Sequence, residues 1–447
     1  MARIAQQDKK NKPVSKPKES FTGGKVTIFG GVGIWRRLIE KLKVKEELGR
    51  QARLALGGWK YELSDLLMAG IWAHICELGR PYHTRLLRTD EAFLALSGME
   101  GFPSQSVLSR WLGKVKISVG VGILAANRAL LMKVRDFRSM RKITLDLDTH
   151  VTTCYGKQQR AAKGYNPKKQ GRKSYNPMFC FIGETRDLLY ARMRSGKDCH
   201  VGKTEAVTFV KESLRGIGLK VCQVYLRGDS AFYSKDFMLY LEKRGIFYAI
   251  VVRLYPGIQK RLVGLEYEDM GGGLEVGEFQ YRAEDSKESR RMVVIRQKIR
   301  EGEKRRKQLK LFENDGYDYQ CIVTNLSISG YEVWKFYNGR CNAENMIKEG
   351  VYDYGLDEVV SHHYAGNACW LYLSLLAYNL TNWLKDIGFG EKGPKRFTRY
   401  FRDCYLRIGA RMTRSGREVQ MKMSSDHPYR EKFLAAIDKI QAFNPVC

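Results

Sequence analysis

Between residues 141 and 324 short apolar, β-branched runs alternate with helical stretches, and this alternation limits the possible folds more than any other feature of the chain. Strands separated by helices build a sheet with helices packed on it, an α/β architecture. Residues 143–149 read as a strand with Asp146 and Asp148 on one face and Leu145 and Leu147 on the other, since successive side chains point to opposite sides. Residues 176–182 and 188–194 flank Gly183-Glu-Thr-Arg-Asp187 and read as a hairpin. A helix follows over 204–215, then a strand over 221–226 that ends at Arg227-Gly-Asp229. Ser234 caps the next helix, and 247–252 reads as a further strand. Residues 255–318 break the rhythm with Gly271-Gly-Gly273, short β-leaning pieces, and basic runs at Arg290-Arg291 and Lys304-Arg-Arg-Lys307. They are expected to form a β-rich insertion within a core of residues 136–385, which resumes with a strand over 319–324.

The flanks differ from this core. Residues 1–24, rich in Lys with Pro13 and Pro17, read as a disordered basic tail. Residues 25–135 are helical in pattern, with Leu63, Leu66, Leu67, Ile71 and Ile75 recurring at three and four. Within them Pro103 to Leu112 resembles the second helix of a helix-turn-helix, in which Gln105, Ser106, Ser109 and Arg110 could reach a groove or phosphates. An ordinary amphipathic helix has the same pattern, so this motif is weak by itself. The last part, 386–447, is expected to be helical with one short strand at 417–421 and a final helix over 429–443.

The formal net charge is +30, from 78 Lys and Arg against 48 Asp and Glu, with a pI near 9.7. Such an excess favours a polyanionic partner, of which nucleic acid is the usual one. A membrane partner is not expected, because the longest apolar stretch, 368–384, is interrupted by Tyr, Ser, Asn and Thr and reads as a buried helix. The first twenty residues lack the apolar run of a signal peptide. The 10 cysteines include no Cys-x-x-Cys pair, which argues against a zinc ribbon or a disulfide framework and for a reducing, cytoplasmic setting. The charge is concentrated in 149–183, where Lys157, Arg160, Lys163, Lys168, Lys169, Arg172 and Lys173 accumulate with Tyr155, Tyr165 and Tyr175 among them. A solvated loop normally mixes both signs, so cations interleaved with aromatics point to a nucleic-acid contact.

The chemistry is carried by a third element. If 337–348 is helical, Tyr337, Arg340, Glu344 and Lys348 lie along one face, an ionic stripe where an amphipathic helix normally carries apolar residues. Together with Asp148 and Asp229 at strand positions, Glu344 completes an acidic triad. Such a triad suits phosphodiester chemistry with two divalent metals, which needs a bridging carboxylate and a further one on each side. Hard oxygen ligands with room for water and phosphate suit Mg²⁺, and Mn²⁺ is expected to substitute. Arg340 and Lys348, one turn to either side, would face the scissile strand. A surface Arg–Glu pair four residues apart is more often a weak ion pair; the register of the charges and the basic surroundings favour the chemical reading. Asp146 shares the face of Asp148, and its place as supporting group or spare ligand stays open.

These residues resemble a DDE transposase of a bacterial insertion sequence, in the superfamily marked by Tyr-(2)-Arg-(3)-Glu and, more narrowly, insertion-sequence family thirteen-eighty. The resemblance rests on Leu145-Asp-Leu-Asp148-Thr-His-Val-Thr-Thr-Cys-Tyr155-Gly-Lys and Ala162-Lys-Gly-Tyr-Asn-Pro-Lys-Lys169, then on Leu226-Arg-Gly-Asp229-Ser-Ala-Phe, the 337–348 segment and Tyr354-Gly-Leu-Asp357. It implies an RNase H-like core interrupted by a β-rich insertion, cleavage at terminal inverted repeats, and strand transfer into target DNA. It assigns Asp148, Asp229 and Glu344 as catalytic metal ligands, with Tyr337, Arg340 and Lys348 on the transferred strand. Residues 25–135 would bind the element end, and a dimer on paired ends is the expected working form, in the cytoplasm on the nucleoid. Two features depart from the pattern: Val351 stands where the superfamily has a further Lys, and no Trp lies between Phe232 and Gly330. A nuclease without strand transfer, or an inactive DNA-binding relative, are the competing readings.

Overall fold

The computed structural model describes residues 24–52, 60–167, 169–198, 201–217, 223–282, 288–299, 316–390, 398–416 and 418–446. The basic tail, apart from Gly24, lies outside these residues, as do Lys168 and the basic run 304–307.

Among the described residues nine strands form a central mixed sheet. In chain order they are β1 (Lys142–Thr149), β2 (Met178–Ile182), β3 (Leu188–Arg192), β4 (Gln223–Gly228), β5 (Phe247–Val252), β6 (Glu268–Asp269), β7 (Leu274–Tyr281), β8 (Arg290–Lys298) and β9 (Tyr317–Thr324). Across the sheet they are ordered β6-β7-β8-β9-β5-β4-β1-β2-β3. Only β1 with β4 and β4 with β5 are parallel; the other neighbours are antiparallel. Residues 255–318 therefore add a helix, Pro256–Leu262, and three strands that extend the same sheet beyond β9. Buried Met178, Phe179, Cys180, Phe181 and Ile182 leave β2 with no solvent face, as expected for a strand covered by helices on both sides.

Ile117–Val134 and the 21-residue helix Tyr364–Leu384 pack on β3; Val44–Ala52 packs in turn on Ile117–Val134, and Val32–Leu42 and Leu63–Ile75 on Tyr364–Leu384. That central helix is buried almost all round, which explains the lack of a polar stripe in 368–384. It also closes the sheet edge. Leu188 of β3 donates its N–H to Asn379 Oδ1 at 2.8 Å, and its carbonyl accepts from Asn379 Nδ2 at 2.8 Å and Asn127 Nδ2 at 3.1 Å. The Leu188 backbone groups that an edge strand would offer to another chain are thus occupied. Among the described residues Ile117–Val134 is the one helix long and apolar enough to cross a membrane, and it packs against Val44–Ala52 and Tyr364–Leu384.

The C-terminal part corrects the expectation of a single strand. Ala410–Ser415 and Glu418–Met423 form a hairpin, and Val26–Thr27 pairs with its first strand, which joins the two ends of the described chain. The missed strand, Ala-Arg-Met-Thr-Arg-Ser, buries only Ala410 fully, so it carries almost no apolar alternation to read.

Candidate active site

The parallel pairing of β1 with β4 sets Asp146 opposite Arg227 and Leu147 opposite Gly228. Asp148 and Asp229 therefore follow at neighbouring strand ends, where the sheet changes from parallel to antiparallel neighbours around β1. Ligands of α/β sheets settle outside the carboxyl ends of strands at such a switch. Asp148 is buried and its Oδ1 accepts the Thr149 N–H at 2.8 Å. Asp229 Oδ1 accepts the Ala231 N–H at 3.0 Å and so caps the short turn Ser230–Phe232.

The third side of the site comes from two helices where the sequence suggested one. Gly330–Asn338 starts at a capping box formed by Ser329 and Glu332, and Cys341–Tyr354 follows after Gly339 and Arg340. The single ionic face is accordingly divided. Tyr337 and Arg340 are buried, whereas Glu344 and Lys348 lie on an exposed stripe that continues to Tyr352. Tyr337 packs in an apolar cluster with Val333, Val276 and Val293, and its ring centre is 6.0 Å from the Arg340 guanidinium carbon.

Arg340 brings the three acids together. Its Nη1 donates to Glu344 Oε1 at 2.8 Å, while Nη2 stands 3.5 Å from Asp148 Oδ1 and 3.9 Å from Asp229 Oδ2. Its Nε is buried without a hydrogen-bond partner among the described residues. Burial pushes the Asp148 carboxyl up to about 7, with Asp229 and Glu344 adding to the shift and Arg340 and the Thr149 N–H opposing it. Asp229 moves in the same direction, again chiefly through burial. For Arg340 burial works against the charge, but Asp148, Tyr337, Asp229 and Glu344 outweigh it and hold the guanidinium firmly protonated.

Asp146, left open by the sequence, has a partner of its own. Arg227 Nε and Nη2 donate to its two oxygens at 2.6 and 2.8 Å, and Arg227 Nη1 donates to the Phe336 carbonyl at 2.9 Å. This fully buried pair connects β1, β4 and the helix that precedes Arg340. It also accounts for Gly339: a methyl there would overlap Arg227 Nη1 and come within 3.2 Å of the Phe336 carbonyl. Arg227 escaped the sequence reading because its partner lies 81 residues away and only the parallel register joins them.

The basic segment folds into a small sheet of Thr152–Thr153, Lys173–Tyr175 and Ala162–Lys163 beside the end of β1. Lys157, Lys163, Lys169, Arg172 and Lys173 are exposed on it, and Lys168 lies outside the described residues. Tyr155 is 73% and Tyr165 64% exposed, but Tyr175 is fully buried. The Tyr175 hydroxyl donates to the Gln159 carbonyl at 2.7 Å and its ring packs edge-on against Tyr364, so the expectation that it stacks on bases is withdrawn. Arg110 is exposed on the helix Gln105–Lys114, whose Ser104 cap accepts the Val107 N–H.

The donor chemistry of Asp148, Asp229 and Glu344 fits a divalent cation that prefers oxygen. Their present spacing is set by Arg340. Among the described residues no three acidic, His or Cys side chains stand close enough to hold an ion as they are.

The family model described as Transposase DDE domain group 1 matches residues 8–445. The chain belongs to that family. This transposase is accordingly an enzyme of DNA cleavage and transfer, in a family that uses divalent metal ions. No curated protein matches it. A solved structure similar to it is the piggyBac transposase in a synaptic complex with hairpin DNA, at 9% sequence identity and a TM-score of 0.46, covering 84% of this chain and 79% of that one.

Proposed function

We propose that this transposase cuts DNA at the terminal inverted repeats of its element and transfers the freed 3′ ends into target DNA, with Asp148, Asp229 and Glu344 as its catalytic carboxylates. The observation that carries this reading is the convergence of all three on the one guanidinium of Arg340. Mg²⁺ or Mn²⁺ held by these acids would activate the attacking oxygen and stabilise the leaving one. In the first step water attacks phosphorus and the element's 3′ oxygen leaves with a proton. That 3′-hydroxyl then attacks a target phosphorus, loses its proton, and displaces the target's own 3′ oxygen.

The chain's residues set up both steps. Arg340 keeps three mutually repelling carboxylates together, and once it yields them its charge is available to the scissile phosphate. Lys348, a turn beyond Glu344 on the exposed stripe, would hold the transferred strand, and Tyr337 would support Arg340 from beneath. Lys157, Lys163, Lys168, Lys169, Arg172 and Lys173 would follow the backbone beside the site. Residues 25–135, including Arg110, would bind the element end. The strand order β3-β2-β1-β4-β5, three antiparallel strands followed by two parallel ones, supports an RNase H-like reading of the 136–385 core. Two ends must meet for transfer, so a dimer on DNA is the working form, in the compartment that holds the DNA.

The test is product analysis with DNA carrying the inverted repeats that flank the gene, a supercoiled target and Mg²⁺. Joined end–target products are expected. Cuts at the ends with no joined product would favour a nuclease, and specific binding without cuts in Mg²⁺ or Mn²⁺ would favour a DNA-binding relative.

A further inference from the structure

The buried pair of Asp146 and Arg227 lies one pleat below Asp148 and Asp229, and Arg227 also holds the end of the helix that leads to Arg340. We infer that Arg227 is a positioning residue of the metal site. Through Asp146 and the Phe336 carbonyl it fixes where Asp148, Asp229 and Glu344 start from, so that their side chains can close on a divalent cation. The inference rests on the proposed catalytic role of those acids and adds the group that sets their geometry.

Position comes first. The pairing of β1 with β4 ends at Leu147 and Gly228, so Asp148 and Asp229 project beyond the ladder that joins their strands. Asp148 is still held from the other side, where it pairs with Phe179 of β2. The placement of Asp229 relative to Asp148 is therefore set from below. Directly beneath, and on the same face, Arg227 Nε and Nη2 donate to the two oxygens of Asp146 at 2.6 and 2.8 Å. Two residues of extended chain span at most about 7 Å, so a tilt at this pair is carried straight to the acids. The third donor, Nη1, reaches the Phe336 carbonyl at 2.9 Å, in the last turn of Gly330–Asn338, where a cation also suits the helix end. The guanidinium carbon lies 5.2 Å from the Phe336 ring centre. From Phe336 the chain runs through Tyr337, Asn338 and Gly339 to Arg340, and Glu344 follows one helical turn later.

The surroundings are shaped to this one side chain. A methyl on Gly183 would come 2.7 Å from Arg227 Nη2 and 3.1 Å from Asp146 Oδ2, and Gly339 leaves room for Nη1 in the same way. Both members of the pair are buried. A buried ion pair can often be replaced by apolar residues without loss of stability, so stability alone does not account for it. What a guanidinium supplies is a planar fork of donors in fixed directions, which an ammonium cannot reproduce. Here the fork joins two strands and a helix end at one point. Metal ligation is sensitive to such placement, since a working constellation tolerates errors of only about 0.5 Å. Groups that orient ligands without touching the ion are typically worth about 10–100-fold in metal affinity or activity. Arg227, buried beneath the acids, acts on the reaction through the ligands it places.

The experiment compares full-length wild type, Arg227→Lys and Gly339→Ala on inverted-repeat DNA. A lysine keeps a positive charge beside Asp146 but gives up the fork. The alanine at 339 displaces Nη1 from the Phe336 carbonyl and leaves the two bonds to Asp146. Mn²⁺ affinity of the protein–DNA complex is read by electron paramagnetic resonance, with the Glu344→Gln complex as the blank for ions held by DNA. The Mg²⁺ dependence of cleavage, DNA affinity and the urea midpoint are measured on the same samples. Arg227→Lys is expected to weaken Mn²⁺ binding and raise the half-saturating Mg²⁺ concentration, each by about tenfold or more, with DNA affinity unchanged. Gly339→Ala should move both in the same direction by less. A merely structural role would lower the rate with the folded fraction and leave both metal constants as in wild type. Unchanged metal constants in Arg227→Lys overturn the inference and leave the transposase reading intact. Should that variant not fold, unchanged constants in Gly339→Ala do the same, as does failure of both to fold. Equal Mn²⁺ binding by wild type and Glu344→Gln overturns the assignment of the acids and the inference with it.

Discussion

Asp146 and Asp148 stand two residues apart on one strand face, and burial pushes both carboxyls up, but their partners differ. Asp146 is held bidentately by Arg227. Removing one partner of a buried pair strands the other charge, at a cost of about 3–5 kcal/mol. Asp146→Asn is therefore expected to lower the urea midpoint sharply, with activity lost as a consequence of lost structure. Asp148 has no such dedicated partner. With its carboxyl pushed up from 3.8 to about 7, the ionised form opposes folding above pH 7, so Asp148→Asn should leave stability unchanged or raise it. Chemical denaturation of both variants at pH 8 checks the contrast; equal destabilisation would show that Asp148 is structural. The alternation of Leu and Asp made the acidic face legible in the sequence. Which acid was paired was not, because that depends on the register of a strand 81 residues further on.

At the scale of elements, the strands of the core were legible because each is a short β-branched run between turn residues, and β5 spans the expected 247–252. The helix bearing Glu344 was legible in its spacing but not in its break. The close approach of Arg227 to Gly339 packs the upper part of the expected face inward and leaves the lower part to solvent. The basic hairpin makes the complementary case. Its like charges are exposed and spread over a small sheet, so on the proposed reading they would act as separate phosphate contacts. Replacing Lys157, Lys163, Lys169, Arg172 and Lys173 by Ala should weaken binding to every DNA sequence alike. It should also reduce the slope of log K against log salt by about 0.9 for each phosphate contact removed. A slope unchanged in filter-binding titrations would mean that the hairpin faces away from DNA.

Across the whole molecule, one buried joint ties the N-terminal helices to the site. Arg402, fully buried, donates to the carbonyls of Ile75 at 2.8 Å, His74 at 2.7 Å and Asp353 at 2.6 Å, and so satisfies the C-terminal ends of Leu63–Ile75 and of the Glu344 helix together. His74 Nδ1 lies 2.7 Å from the Tyr354 carbonyl, and the His74 ring packs on Trp370 of the central helix. Burial, with a smaller contribution from Arg402, pushes the imidazole down from 6.5 to about 3. Between those values the unfolded chain binds a proton that the folded one refuses. Stability should therefore be full above pH 6.5 and fall as pH drops through the window, by up to about 1.4 kcal/mol per unit. His74→Gln should flatten the part of that slope seen in urea unfolding between pH 7 and 5.5. Nothing in the local pattern around His74 or Arg402 revealed this joint, since its partners come from three distant segments. The general α/β order was legible because its short β-branched runs recur as local patterns.

The central claim is that Asp148, Asp229 and Glu344 form one catalytic site for DNA cleavage. It is tested most directly by Mg²⁺-dependent cleavage of inverted-repeat DNA with wild type and Glu344→Gln, binding being measured on the same samples. Loss of even a supporting group near a metal costs about 10–100-fold, so loss of a ligand should reduce cleavage by about 100-fold or more while binding persists. Cleavage by Glu344→Gln at the wild-type rate would contradict the account.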